Sequence, residues 1–295
     1  MEQFQAQPNR HNRNPSHVTV GTVRALSLLI LATVAAALAL ADAAASARWR
    51  QSWGLNSAAT ARAPTSAAFA NLTLEPRAGG HAAIATNLLA GPVQVRLHGQ
   101  SAALQEKPPS PAVLMPHERR TLLWLPADGS PSQLVLDAFP GDPAARPDNH
   151  PYQLPFRSQQ VRVSQAFGGR YSHSDAQNQY AVDFPLSEGT AVLVARAGKV
   201  MQIVENAPDL GCLVRVLHND GSMALYAHLQ AGSLQVRPGQ SVETGQTLAA
   251  SGNTGDSTGP HLHFAIQANT GLALNSLRFR MRSERGELRF PEAAP

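Results

Sequence analysis

From residue 67 onward, apolar and polar positions alternate with a period of two, the spacing of half-buried strands rather than helices. Short runs at 69–74, 92–97 (PVQVRL), 121–125 and 133–139 carry the pattern, with Pro, Gly and Asp clusters between them. They predict a small β-sandwich-like domain over 67–141. A Pro-punctuated connector (DPAARPDNH) follows and fills 142–151 with the start of the next segment. From 152 to about 277, Gly189, Gly198, Gly211, Gly221, Gly239, Gly245, Gly252, Gly255 and Gly259 break the chain into short β-prone runs. No stretch there has helical periodicity. A last strand is expected at 288–290. The fold class read from the pattern is all-β, a sandwich-like domain and then a hairpin-rich domain over 152–295.

The first 66 residues read differently. Residues 1–24 are polar and set Arg10, Arg13 and Arg24 against Glu2, and residues 25–41 (ALSLLILATVAAALALA) carry no charge. Seventeen residues is long for the apolar part of a signal peptide and at the lower limit for a membrane span. Small residues follow at Ala41-Asp42-Ala43 and Ala45-Ser46-Ala47, suited to cleavage. The expectation is export, with residues 1–47 a signal peptide or a membrane anchor. The body would then lie in the periplasm or cell envelope, in contact with the inner membrane through 25–41 if the segment is kept. Residues 48–66, rich in Ala, Ser and Thr, read as a linker.

Composition narrows the function classes. Of 295 residues, 43% are hydrophobic and 15% charged, which suits a folded chain. The net charge of +4 comes without a basic stripe interleaved with aromatics, so no nucleic-acid partner is expected. Such an excess suits an anionic wall polymer. The single cysteine, Cys212, permits no internal disulfide and no Cys-rich zinc site, and it reads as a small buried hydrophobe.

The chemistry collects in the second domain. On a strand, His261 and His263 share one face while Leu262, Phe264 and Ile266 share the other. Asp183 sits between Val182 and Phe184, either facing a groove or buried and paired. Alternation places Tyr226 and His228 on one face, and His173 lies in a polar loop after Gly168-Gly169. Three or four histidines with one carboxylate suit Zn²⁺, whose catalytic sites keep one position for water and favour amide hydrolysis. A histidine left over from metal binding is then available to move protons. His81, His98, His117 and His150 have no partners at ligand spacing and read as surface or turn residues. His218, at a hairpin turn, is expected to be exposed. The loop at 252–259 (GNTGDSTG) lacks the lysine and helix of a phosphate-binding loop and reads as a turn into the histidine strand.

An ordered set of segments carries a family resemblance. These are YAVDF (180–184), EGTAV (188–192), ARAGKV (195–200), YAHL (226–229), PGQSVETGQ (238–246), SGNTG (251–255) and GPHLHF (259–264). Together they resemble the M23 (lysostaphin/LytM-like) zinc metallopeptidases, which cut the peptide part of peptidoglycan, over about 161–267. The resemblance implies a β-rich peptidase domain with its Zn²⁺ in a groove. His173, Asp183 and His263 would be the metal ligands. His228 and His261 would be the non-ligand pair that orients or deprotonates the attacking water and stabilises the oxyanion, and Tyr171 would help bind the tetrahedral intermediate. The family often spaces its first ligands His-x-Gly-x-Asp, whereas nine residues separate His173 from Asp183 here, and Asp175 is the alternative first ligand. The function implied is an exported zinc endopeptidase acting on stem peptides or cross-links. The bond remains open among D-Ala to diaminopimelate, another stem linkage and a glycine bridge. The alternative is a non-catalytic LytM-like module that binds the wall or activates another hydrolase, with protein regulators as partners. The 67–141 domain would be a binding unit or a shield over the groove.

Overall fold

The structure, a computed structural model, describes residues 69–127 and 133–290. The expected signal or anchor segment (1–47) and the linker at 48–66 lie outside the described residues. Among the described residues no helix is long and apolar enough to cross a membrane.

The first layers are β1 (Ala70–Arg77), β2 (Gly80–Asn87), β3 (Val93–Gln100), α1 (Ala102–Glu106), β4 (Ala112–Leu114), β5 (Arg119–Pro126) and β6 (Gln133–Pro140). They form two antiparallel three-stranded sheets, β1-β2-β5 and β4-β3-β6. The period-two pattern explains the pairing of faces. Val93, Val95 and Leu97 turn inward with Leu114 and Leu136, against Ala83 and Ala85 of the other sheet and Phe69 just before it. The small side chains of β2 let the sheets approach closely. They are also why hydrophobic alternation misses that strand.

The second part contains β7 (Pro151–Gln153), β8 (Val182–Pro185), β9 (Ala191–Leu193), β10 (Gly198–Ala207), β11 (Gly211–Leu217), β12 (Met223–Leu229), β13 (Ser241–Val242), β14 (Thr247–Ala250), β15 (His261–Asn269), β16 (Leu274–Leu277), β17 (Arg280–Ser283) and β18 (Gly286–Leu288). One seven-stranded sheet runs β13-β10-β11-β12-β15-β16, with β8 pairing β15. Its first face buries Val200, Val214, Val216, Tyr226, Phe264 and Ile266 under residues of the β9–β14 and β18-β17-β7 sheets. Its second face carries His263 opposite Ala227, Ala265 opposite Leu225 and Gln267 opposite Met223, in register order.

The N-terminal layers rest on that second face at the Met223 end. Met201, Met223 and Leu274 share one buried cluster with Phe69, Val93 and Leu114. Gly91 has no side chain because a Cβ there would meet Met201 Cγ at 2.8 Å. Polar contacts line the same seam. Ala90 N–H donates to the Met201 carbonyl (3.0 Å), Leu272 N–H to Gln94 Oε1 (2.7 Å) and Asn269 Nδ2 to the Gly141 carbonyl (3.1 Å). Arg215, fully enclosed, donates to Gln202 and Gln267 and lies 5.7 Å from the centre of the Phe69 ring. Among the described residues its Nε has no partner, and burial lowers its pKa to about 10.

Three sequence expectations need correction. The terminal strand is Gly286–Leu288 rather than 288–290, because it is set by pairing with β17. His218 is buried, not exposed. Its hairpin packs under Tyr152 and its Nδ1–H donates to the Ala197 carbonyl (2.9 Å). Tyr226 and His228 do not share a face, because a register slip in β12 turns one of them over.

Candidate metal centre and histidine cluster

Strand pairing builds the centre. β8 and β15 run antiparallel with Asp183 opposite His263, and the loop before β8 brings His173 across from a position ten residues upstream of Asp183. Asp183 Oδ1 lies 3.2 Å from His173 Nε2 and 2.9 Å from His263 Nδ1. The three residues are buried and their ligand atoms lie within 4.8 Å of one another. Asp183 is thus enclosed and paired, the second of the two alternatives the sequence left. Asp175, the alternative first ligand, is exposed and accepts from the backbone N–H groups of Gln177 and Asn178 instead.

Donor chemistry tests whether a metal fits. His173 Nδ1 faces the Ala166 carbonyl (2.9 Å) and its Nε2 faces Asp183. His263 Nε2 faces Asn178 Oδ1 (3.1 Å) and its Nδ1 faces the same Asp183 oxygen. A neutral imidazole has one N–H, yet each ring sits between two acceptors. Both inner nitrogens converge on one carboxylate oxygen, so a divalent cation among them satisfies both rings at once. Ligand atoms around tetrahedral zinc are about 3.3 Å apart for bonds of 2.0–2.1 Å, so the cluster needs only small adjustment.

His228 and His261 come together beside this centre, with ring centroids 4.5 Å apart, and His228 lies 5.9 Å from the His263 ring. His228 reaches them through a break in alternation. Its φ is 57°, in the left-handed region, and the β11–β12 register slips between Cys212↔Leu229 and Val214↔Tyr226. This bulge turns His228 onto the second face while Tyr226 stays in the core, its hydroxyl accepting from Ala195 N–H (2.8 Å). The loop at 252–259 supplies the other half of the placement. His228 Nδ1–H donates to the Thr254 carbonyl (2.8 Å) and His261 Nδ1–H to the Gly259 carbonyl (2.8 Å), which leaves each Nε2 with its lone pair.

Electrostatics follow the geometry. Burial pushes the Asp183 carboxyl up, but hydrogen bonds from His173 and His263 outweigh it and hold the group well below the usual carboxylate range. Burial pushes His228 down to about 4, against the pull of the Thr254 carbonyl, so it is a neutral base at pH 7. Tyr171 is 97% exposed and makes no ring contact with the cluster. Asn178 and Thr254 escaped the sequence reading. The amide of Asn178 lies in the spacer between the first two expected ligands, and Thr254 acts through its main chain, which no motif reports.

Residues 177–276 match the family model described as Peptidase family M23. That stretch is an M23 peptidase domain. Among curated proteins, an uncharacterized metalloprotease from Haemophilus influenzae is 36% identical over 125 residues, covering 41% of this chain and 26% of that protein. Peptidoglycan DD-endopeptidase ShyA from Vibrio cholerae is 35% identical over 108 residues, covering 36% of this chain and 24% of that protein. Murein hydrolase activator NlpD from Escherichia coli is 32% identical over 118 residues, covering 40% and 29%. The chain spans under a third of the length of each of these relatives. Its M23 domain holds Asp183, His228, His261 and His263, and residues before 177 add His173 to them.

Proposed function

We propose that this chain is an exported zinc endopeptidase that hydrolyses amide bonds in peptidoglycan stem peptides or cross-links. The observation that carries the reading is the convergence of His173, Asp183 and His263 on one buried point beside two histidines whose Nε2 atoms keep their lone pairs. Residues 25–41 supply the export element, and similarity to a peptidoglycan DD-endopeptidase supports the substrate class.

His173, Asp183 and His263 would hold the ion through Nε2, a carboxylate oxygen and Nδ1. Zinc there supplies Lewis acidity, polarising the scissile carbonyl and acidifying water. Asp183 remains anionic and offsets the ion's charge. His228, kept neutral by burial and locked in its Nδ1–H tautomer by Thr254, accepts the proton of the attacking water at Nε2. His228 then passes that proton to the departing amine, and His261, half-buried at the rim, orients the attacking water by accepting at its Nε2.

Zinc content and release of soluble muropeptides from purified peptidoglycan test the reading, with His263→Ala as control. One zinc per chain and His263-dependent release is the expected result. A zinc-free chain that releases nothing overturns it. Similarity to a murein hydrolase activator favours a second reading, a wall-binding or hydrolase-activating module. That reading predicts zinc-independent stimulation of an added murein hydrolase that survives His263→Ala.

A further inference from the structure

Four imidazoles meet in the cluster, and three are oriented by main-chain carbonyls that no substitution removes: His173 by Ala166, His228 by Thr254 and His261 by Gly259. His263 differs. Among the described residues its outer nitrogen, Nε2, faces only a side chain, Asn178 Oδ1 at 3.1 Å. The direction of that amide is settled by its other end. Asn178 Nδ2 lies 3.2 and 3.0 Å from the two oxygens of Asp175, which accept only, so Oδ1 must face the ring. Asp175 is itself fixed by the N–H groups of Gln177 (2.8 Å) and Asn178 (3.0 Å).

We infer that Asn178, braced by Asp175, is a positioning residue that fixes the tautomer of His263 and thereby sets the metal affinity of the centre. The relay runs from a carboxylate through an amide to the imidazole. It keeps the proton on Nε2 and points the Nδ1 lone pair at the ion, and the charge of Asp175 polarises the amide and makes the ring a stronger donor ligand. Both residues lie in the nine-residue spacer between His173 and Asp183, so the spacer itself carries the support for the third ligand.

The inference rests on the proposed zinc site, and the test separates the two. Zinc dissociation constants of the full chain are measured by competition with a chromogenic chelator, alongside circular dichroism. Asn178→Ala is expected to weaken zinc by about 10–100-fold, the range for lost support behind a ligand, with an unchanged spectrum. Exchanging the pair, Asp175→Asn with Asn178→Asp, rebuilds the relay in reverse order and is expected to bind zinc more tightly than Asn178→Ala. In the zinc-loaded parent, the His263 Nε2 proton is expected to give an exchange-protected NMR resonance that Asn178→Ala loses. A parent that binds zinc while Asn178→Ala binds it equally well overturns this inference alone. A swap variant as weak as Asn178→Ala also overturns it, and a parent that binds no zinc overturns both readings.

Discussion

His228 holds its imidazole on a left-handed backbone, a conformation that costs roughly 1–3 kcal/mol for a side chain with a Cβ. Its ring is fixed by the Thr254 carbonyl and kept neutral by burial, so the strain yields a base at the point where the β11–β12 register slips. His228→Ala is therefore expected to lower muropeptide release by roughly 10²–10⁴-fold while zinc content stays at one per chain. Zinc lost together with activity would make it a ligand rather than the general base. Two buried histidines also make the fold acid-sensitive. His228 and His218 are both depressed by burial to about 4 from an ordinary value of 6.5. The unfolded chain therefore binds more protons below pH 6.5, and stability falls from there towards pH 4. Each pKa unit corresponds to about 1.4 kcal/mol. Thermal midpoints of the metal-free chain recorded at pH 7.5, 6 and 5 should decline, and a flat profile would contradict the burial of these rings.

At the scale of elements, the loop at 252–259 acts as a clamp between strands. Thr254 Oγ1 accepts from Cys212 N–H (2.9 Å) and donates to the Leu229 carbonyl (2.7 Å), so one side chain spans the bulge that presents His228. Gly211, at φ 61°, lies so close that an added Cβ would collide with the Thr254 backbone. Gly211→Ala should cost about 1–3 kcal/mol in denaturant unfolding and lower activity through His228. Wild-type stability would show that the loop gives way freely. The β12 strand also marks where sequence legibility ends. His261 and His263 could be placed because β15 keeps a strict period of two. Tyr226 and His228 could not, because a bulge is set by the neighbouring strand and loop and leaves no trace in hydrophobic alternation. His218 departs from expectation for a related reason. Hairpin turns are usually exposed, but here Arg196 pairs with Asp220 (2.8 Å) and Asp148 (3.3 Å), fastening the connector beside that turn.

Across the whole described structure, the all-β class and the side chains that gather at the candidate centre were readable from local pattern and motif order. The contact between the two halves was not. Met201, Met223 and Arg215 look like ordinary strand residues until Phe69 and Val93 are placed over them. A chain beginning near Tyr152, an obvious cut from the sequence, would bare those methionines and should lose solubility or several degrees of thermal midpoint. That loss is to be compared with the full chain by calorimetry. The shared core has a further consequence for how the protein comes apart. A seam that buries side chains from both halves couples their unfolding, so neither half melts as an independent foldon. A single calorimetric transition is expected, with equal van't Hoff and calorimetric enthalpies. Nicking the peptide bond between residues 144 and 145 should leave the two fragments associated, because their cohesion lies in the interface and not in the covalent tether.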